Sequence, residues 1–231
     1  MKQTENIAKT QDRIFKDVIG RGELEFSNFQ SNREFFESLG IRKNQRILEI
    51  GSATGYFLDY LYSLGYREVY GCDITKVALD FAKKKNKNIT YKLITHNKLP
   101  FKADYFGFVL SFDTVEHIPD IKLHFKEVKR ILKKGGIYAF STPHKYVDII
   151  YNIHKIHKLF IGHCSLQTRY SLRKISKEIG FSSISFRRIP YHVTKSLKER
   201  VPKGMKFTVP VIKGITENRL FQPSIYCIMK K

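Results

Sequence analysis

Apolar and polar positions follow two rhythms along this chain. Residues 46–50 (RILEI) form a short apolar run ending in glycine, and residues 57–64 then place apolar side chains at helical spacing. Strand, tight turn and helix is the prediction. Residues 66–72 (YREVYGC) read as a second strand, 76–85 as a second helix and 89–94 as a third strand. The run FGFVLSF at 106–112 is apolar throughout, as in a strand buried on both faces. A helix over 121–132 follows and stops at Gly135 and Gly136, with a fifth strand expected at 137–141. After Gly162 come a helix at 172–179 closed by Gly180, and strands at 181–189 and 224–229. Strands alternating with helices predict an α/β fold: a doubly wound, mostly parallel seven-stranded sheet with helices on both faces. Residues 32–39 are the clearest helical piece of the first 40, so residues 1–40 are expected to form a helical cover on a domain over 41–231.

Composition narrows the picture. At 231 residues, with 42% hydrophobic and 27% charged side chains, the chain is neither disordered nor membrane-spanning by pattern. Its polar opening, MKQTENIAKTQDR, lacks the apolar region of a signal peptide, which predicts a cytoplasmic protein. Three cysteines without paired spacing read as thiols. The net charge is +21, and it is uneven: −1 over residues 1–40, +9 over 41–145 and +13 over 146–231. Such a field suits phosphates, anionic lipid or an acidic small molecule, or is simply a solvated lysine-rich surface.

Candidate chemistry begins where the first strand meets the first helix. Glu49 stands two residues before Gly51-Ser52-Ala53-Thr54-Gly55, where a doubly wound fold places its ligand. Glycines there admit a close ligand, and the following helix offers free N–H groups. Asp73, 22 residues after Gly51 at the end of the second strand, is placed to accept hydrogen bonds from two ribose hydroxyls. The G-x-x-x-G spacing departs from the G-x-G-x-x-G of dinucleotide folds.

Residues 46–145 resemble the class I S-adenosylmethionine-dependent methyltransferases, and within them the ubiquinone- and menaquinone-pathway enzymes. The likeness is carried by ILEIGSATGYFLDYL, VYGCDITKVALDFAKKK, LPF at 99–101, SFDTVEHIPD and ILKKGGIYAFSTPH. The resemblance implies a Rossmann-like fold with S-adenosylmethionine as cofactor. It places Glu49, Gly51, Ser52, Ala53 and Gly55 beside the methionine part, Asp73 on the ribose and Ile74 beside the adenine. Thr95 then stands where an acid often holds the adenine amino group, and Ser111 and Phe112 line the inner wall. The family's middle glycine is Ala53 here, which requires a negative φ at that position.

Asp113, Glu116 and His117 lie at i, i+3 and i+4, so a helical turn would turn all three to one side. Three readings stand: a divalent cation such as Mg²⁺ held by the three, as that resemblance implies for these positions, His117 alone as general base, or a segment that shapes the pocket or caps the next helix without a metal. His144, in the turn after the fifth strand, is a second candidate base. In residues 146–161, Ile149, Ile153, Ile156 and Phe160 make one apolar helical stripe beside lysines and histidines. That composition suits either a helix lying in a membrane interface, peripheral on the inner face, or a lid on the domain's own core. Residues 194–220 form a long basic connection. The leading function is methyl transfer to an oxygen, or less readily a carbon or nitrogen, of a small or lipid-linked acceptor. The alternatives are an RNA methyltransferase using the basic final third, for which no nucleic-acid module is seen, and a binding protein that keeps the fold without turnover.

Overall fold

Residues on alternate sides of each central strand serve two separate cores. Leu48 and Ile50 pack with Phe125, Val128 and Leu172 on one face of the sheet, while Ile47 packs with Phe35, Phe57 and Leu61 on the other. The computed structural model describes residues 2–22, 28–95, 98–145, 163–190 and 224–231. The stripe in 146–161 and the basic connection 194–220 lie outside these.

Two helices lead in, α1 (Lys2–Arg21) and α2 (Phe29–Glu37). Then β1 (Ile47–Ile50), α3 (Tyr56–Ser63), β2 (Val69–Asp73), α4 (Lys76–Lys85), β3 (Thr90–Leu93) and β4 (Phe106–Ser111) alternate as the apolar rhythm predicts. A single 3₁₀ turn, Val115–His117, precedes α5 (Ile121–Ile131) and β5 (Leu132–Pro143); α6 (Arg169–Ile179), β6 (Ser183–Arg187) and β7 (Ser224–Lys230) complete the order. The seven strands lie in the order β3-β2-β1-β4-β5-β7-β6. The first five are parallel, and β7 runs antiparallel between β5 and β6. This is the doubly wound sheet expected, with β1 and β4 flanking the point where strand order reverses. Among the described residues no helix is long and apolar enough to cross a membrane.

Several strand ends differ from the pattern by two or three residues, and the start of β5 differs most. β5 begins at Leu132 rather than 137, because Leu132 already pairs with Phe106. The next pair is Phe108 with Ile137, so one residue of β4, Gly107, faces four of β5, Lys133 to Gly136. These four bulge out of the ladder. Across this irregularity Phe106 and Phe108, two apart, serve opposite cores.

Helix ends follow local chemistry. Asp120 accepts from the Leu123 N–H to cap α5, and Thr168 caps α6 through a reciprocal pair with Ser171. Gly180, at φ 78°, closes α6. The N-terminus of α4 is capped from a distance: the Asp12 carboxylate of α1 accepts from the Val77 N–H at 3.2 Å. That bond ties the N-terminal helix to the edge of the cleft.

Candidate functional site

At the carboxyl ends of β1, β2 and β4 lies a cavity of about 470 Å³. Its wall brings together Glu49, Gly51, Ser52, Ala53, Asp73, Ile74, Phe112, Asp113 and His117 of the residues expected from sequence. The glycine turn shows why. Gly51 sits at φ 76°, and a Cβ there would collide with the Thr114 side chain. Gly55 starts α3 in the left-handed region at φ 74°; it shapes the turn and does not line the cavity.

Ala53 contradicts its expectation. Its φ is +45°, not negative, and its N–H donates to Asp73 Oδ2 at 2.9 Å. The left-handed conformation costs a non-glycine residue on the order of 1–2 kcal/mol. We therefore expect Ala53→Gly to stabilise the fold by about 0.5–1 kcal/mol after the added flexibility of the unfolded chain is counted. Urea denaturation reads the gain; a loss would mean that the Ala53 methyl packs to advantage.

Asp73 is buried, and its other oxygen accepts from the Thr75 N–H at 2.9 Å. Burial pushes its carboxyl up, against these backbone donors, which pull it down. Glu49 is buried beside it with Oε2 lacking any hydrogen-bond partner. Burial, then the charges of Asp73 and Asp59, hold the Glu49 carboxyl well above the usual carboxylate range. A buried acid without a donor is costly unless a cation or donor arrives to meet it. The unpartnered Glu49 oxygen is therefore a place in the cavity wall for a cationic or hydrogen-bond-donating group of a ligand. Among the described residues the cavity wall includes four carboxylates, Glu49, Asp73, Asp113 and Asp120, and no lysine or arginine.

Residues 48–140 match a family model described as "Methyltransferase domain". Over that stretch the chain is similar to methyltransferase domains. A curated relative, the ubiquinone biosynthesis O-methyltransferase of Pelagibacter ubique, is 36% identical over 107 residues, which cover 45% of this chain and 44% of the relative. A demethylmenaquinone methyltransferase of Staphylococcus aureus is 23% identical over 170 residues, 68% of this chain and 66% of its own length. The chain thus spans less than half of the first relative. In fold, it is similar to a chain of the Haloferax volcanii complex between the Trm112 methyltransferase activator and a methyltransferase. That likeness has a TM-score of 0.74 at 14% identity, covering 97% and 96% of the two chains. An S-adenosylmethionine-dependent methyltransferase from Mesorhizobium loti has a TM-score of 0.63 at 16% identity, covering 89% and 98%.

The remaining residues expected at the site stand elsewhere. Ser111 is fully buried behind the wall, its hydroxyl 2.8 Å from the Tyr138 hydroxyl. Thr95 is not part of the wall; its neighbour Ile94 is. His144 bridges to Gln167 away from the cavity, and its imidazole is pulled down by burial and by Arg169.

Asp113, Glu116 and His117 do not share a face. The turn is 3₁₀ and starts after a left-handed Asp113 at φ 47°, so the i, i+3, i+4 geometry of an α-helix does not apply. The Asp113 carboxylate takes the Asn28 amide at 2.8 Å and the Ser141 hydroxyl at 3.2 Å. Glu116 turns inward to accept from Thr142 Oγ1 at 3.0 Å. What does converge is Glu116, His117 and His163, whose ligand atoms lie within 4.8 Å of one another. Two imidazoles and one carboxylate do not suit Mg²⁺, which prefers oxygen ligands, so the Mg²⁺ expectation is not supported by the donor set.

Sequence reasoning missed contributions from α1, α2 and α5. Phe15 of α1 and Phe29 of α2 close one side of the cavity; Gln11 and Ile7, one and two turns before Phe15, extend that wall. His124 lines the cavity from α5, with Nε2 3.1 Å from the Tyr138 hydroxyl, and burial lowers its pKa to about 4. It is a neutral wall residue at physiological pH. Its place between Ile121 and Val128 on the buried stripe of α5 was the available signal.

Proposed function

We propose that this protein transfers a methyl group from S-adenosylmethionine to a hydroxyl oxygen of a small or lipid-linked acceptor. The observation that carries the reading is the unpartnered, buried Glu49 oxygen in the wall that also holds Asp73. When bound, S-adenosylmethionine supplies an activated methyl on a sulfonium, so the protein's task is to hold the reactants in line in a dry pocket. Glu49 meets the cationic end of the cofactor, and Asp73 accepts from its ribose hydroxyls. The acceptor fits the aromatic side, where Phe29 packs edge-on to Tyr56 at 4.9 Å and Phe57 to Phe112 at 4.8 Å between ring centres. His117 borders that space and takes the proton that the acceptor hydroxyl loses on methylation. The choice of oxygen follows the O-methyltransferase relative.

Calorimetric titration with S-adenosylmethionine and with S-adenosylhomocysteine tests the cofactor site. Micromolar binding of both is expected, followed by transfer of labelled methyl to catechol-type hydroxyls. Failure of both ligands to bind ends the reading.

A further inference from the structure

At the opposite, amino end of the sheet lies a second depression, and its chemistry is the reverse of the cofactor cavity's. It encloses about 540 Å³ between the loop that carries Arg42, Asn44, Gln45 and Arg46 and the β5 bulge of Lys133, Lys134, Gly135 and Gly136. Four cations face one carboxylate, Glu68. That carboxylate is already engaged: its Oε2 accepts from Arg46 Nε at 3.2 Å and from the Tyr70 hydroxyl at 3.2 Å. Arg42, Lys133 and Lys134 make no ion pair or side-chain hydrogen bond among the described residues.

The walls are held in place. Arg46 lies over the Tyr105 ring, 4.5 Å from its centre, which together with Glu68 fixes the guanidinium. A turn closed by the Gln45 N–H on the Arg42 carbonyl, at 3.2 Å, brings Arg42 alongside. On the other wall the bulge packs so closely that a Cβ on Gly136 would stand 2.8 Å from the Lys133 carbonyl and 3.2 Å from that of Gly107. The sequence step that produces the bulge therefore also presents two adjacent lysines on one rim. With Glu68 already engaged by Arg46, the remaining like charges are held together at an electrostatic cost, which an anion relieves.

We propose that this groove is a binding site for a ligand carrying clustered phosphate groups, separate from the cofactor cavity. Its volume exceeds that of one phosphate and falls in the range of small-molecule sites. The chemistry is shared by a free polyphosphate and by the backbone of a single-stranded oligonucleotide. The proposal stands on the groove alone and does not depend on methyl transfer.

The test compares full-length parent protein, the double variant K133E/K134E and a matched control, K174E/K177E, which reverses the same charge on exposed α6 positions outside the groove. Fluorescence anisotropy with a short fluorescein-labelled oligouridylate, and calorimetry with inorganic tripolyphosphate, are run at several salt concentrations. The groove variant is expected to lose affinity about tenfold or more and to show a shallower salt dependence, with the control within about twofold of the parent. Tripolyphosphate binding as tight as the oligonucleotide assigns the site to small polyphosphates; markedly tighter oligonucleotide binding assigns it to a strand. Equal losses in both variants, or no binding by the parent, overturn the proposal. S-adenosylhomocysteine binding, measured in the same samples, is expected to be unchanged and also reports that the variants are folded.

Discussion

Replacing Asp73 by alanine is expected to weaken S-adenosylhomocysteine binding by about a hundredfold or more. Two hydrogen bonds from ribose hydroxyls to a carboxylate, each worth about 1.5–3 kcal/mol, set that scale. The substitution reaches further than the ligand, because the same carboxylate accepts from the Ala53 and Thr75 N–H groups. Leaving these donors buried without acceptors costs about 1–3 kcal/mol of stability, so Asp73→Ala is expected to lower the urea midpoint as well. Asp73→Asn separates the two roles: it keeps an acceptor oxygen and the side-chain volume, and should retain more stability than affinity. Calorimetry on both variants decides the matter, and an unchanged dissociation constant in Asp73→Ala would remove Asp73 from the cofactor site.

Glu49→Gln is expected to move stability and affinity in opposite directions. The Glu49 carboxyl is held well above its ordinary range by burial and by the charges of Asp73 and Asp59. The folded state thus binds a proton more tightly than the unfolded state. Stability of the ligand-free protein is greatest below the unfolded carboxyl value and falls as pH rises from there through the raised folded value. Glutamine has nothing to ionise, so the variant should lose this pH dependence and melt several degrees higher than the parent near neutral pH. Its cofactor affinity should fall about tenfold or more, since a charged hydrogen bond to the ligand becomes a neutral one. Thermal melts across pH 4–8, with and without S-adenosylhomocysteine, read both effects. A variant that melts no higher yet binds normally would mean that Glu49 is not the acid that meets the cofactor.

Much of this architecture was legible because it depends on local pattern. The short apolar run at Ile47–Ile50, the glycines after it and Asp73 at the end of β2 are close in sequence, and strand geometry alone carries them to one edge. The misreadings arose where distant chain segments decide. Ala53 accepts a positive φ because Asp73, 20 residues on, takes its N–H. Asp113 leaves the expected cluster because Asn28 and Ser141, from opposite parts of the chain, claim its carboxylate, and His163 enters it from a segment whose approach no periodicity announces. The β5 bulge was hidden because Gly135 and Gly136 read as a helix stop, whereas Leu132 had already joined the sheet.

The strand order carries a consequence for how the molecule is made. β7, residues 224–230, inserts between β5 and β6, and among the described residues β6 has no other neighbour in the sheet. A nascent chain that has emerged only as far as β6 leaves the outer edge of β5 unpaired, with apolar Ile137, Ala139 and Phe140 along it. The ribosome must therefore finish β7 before the sheet can close, and until then the emerging chain offers chaperones and proteases an open edge. Translation stalled before residue 224 should yield a product held by chaperones or degraded, even though every strand of the parallel half has already been synthesised.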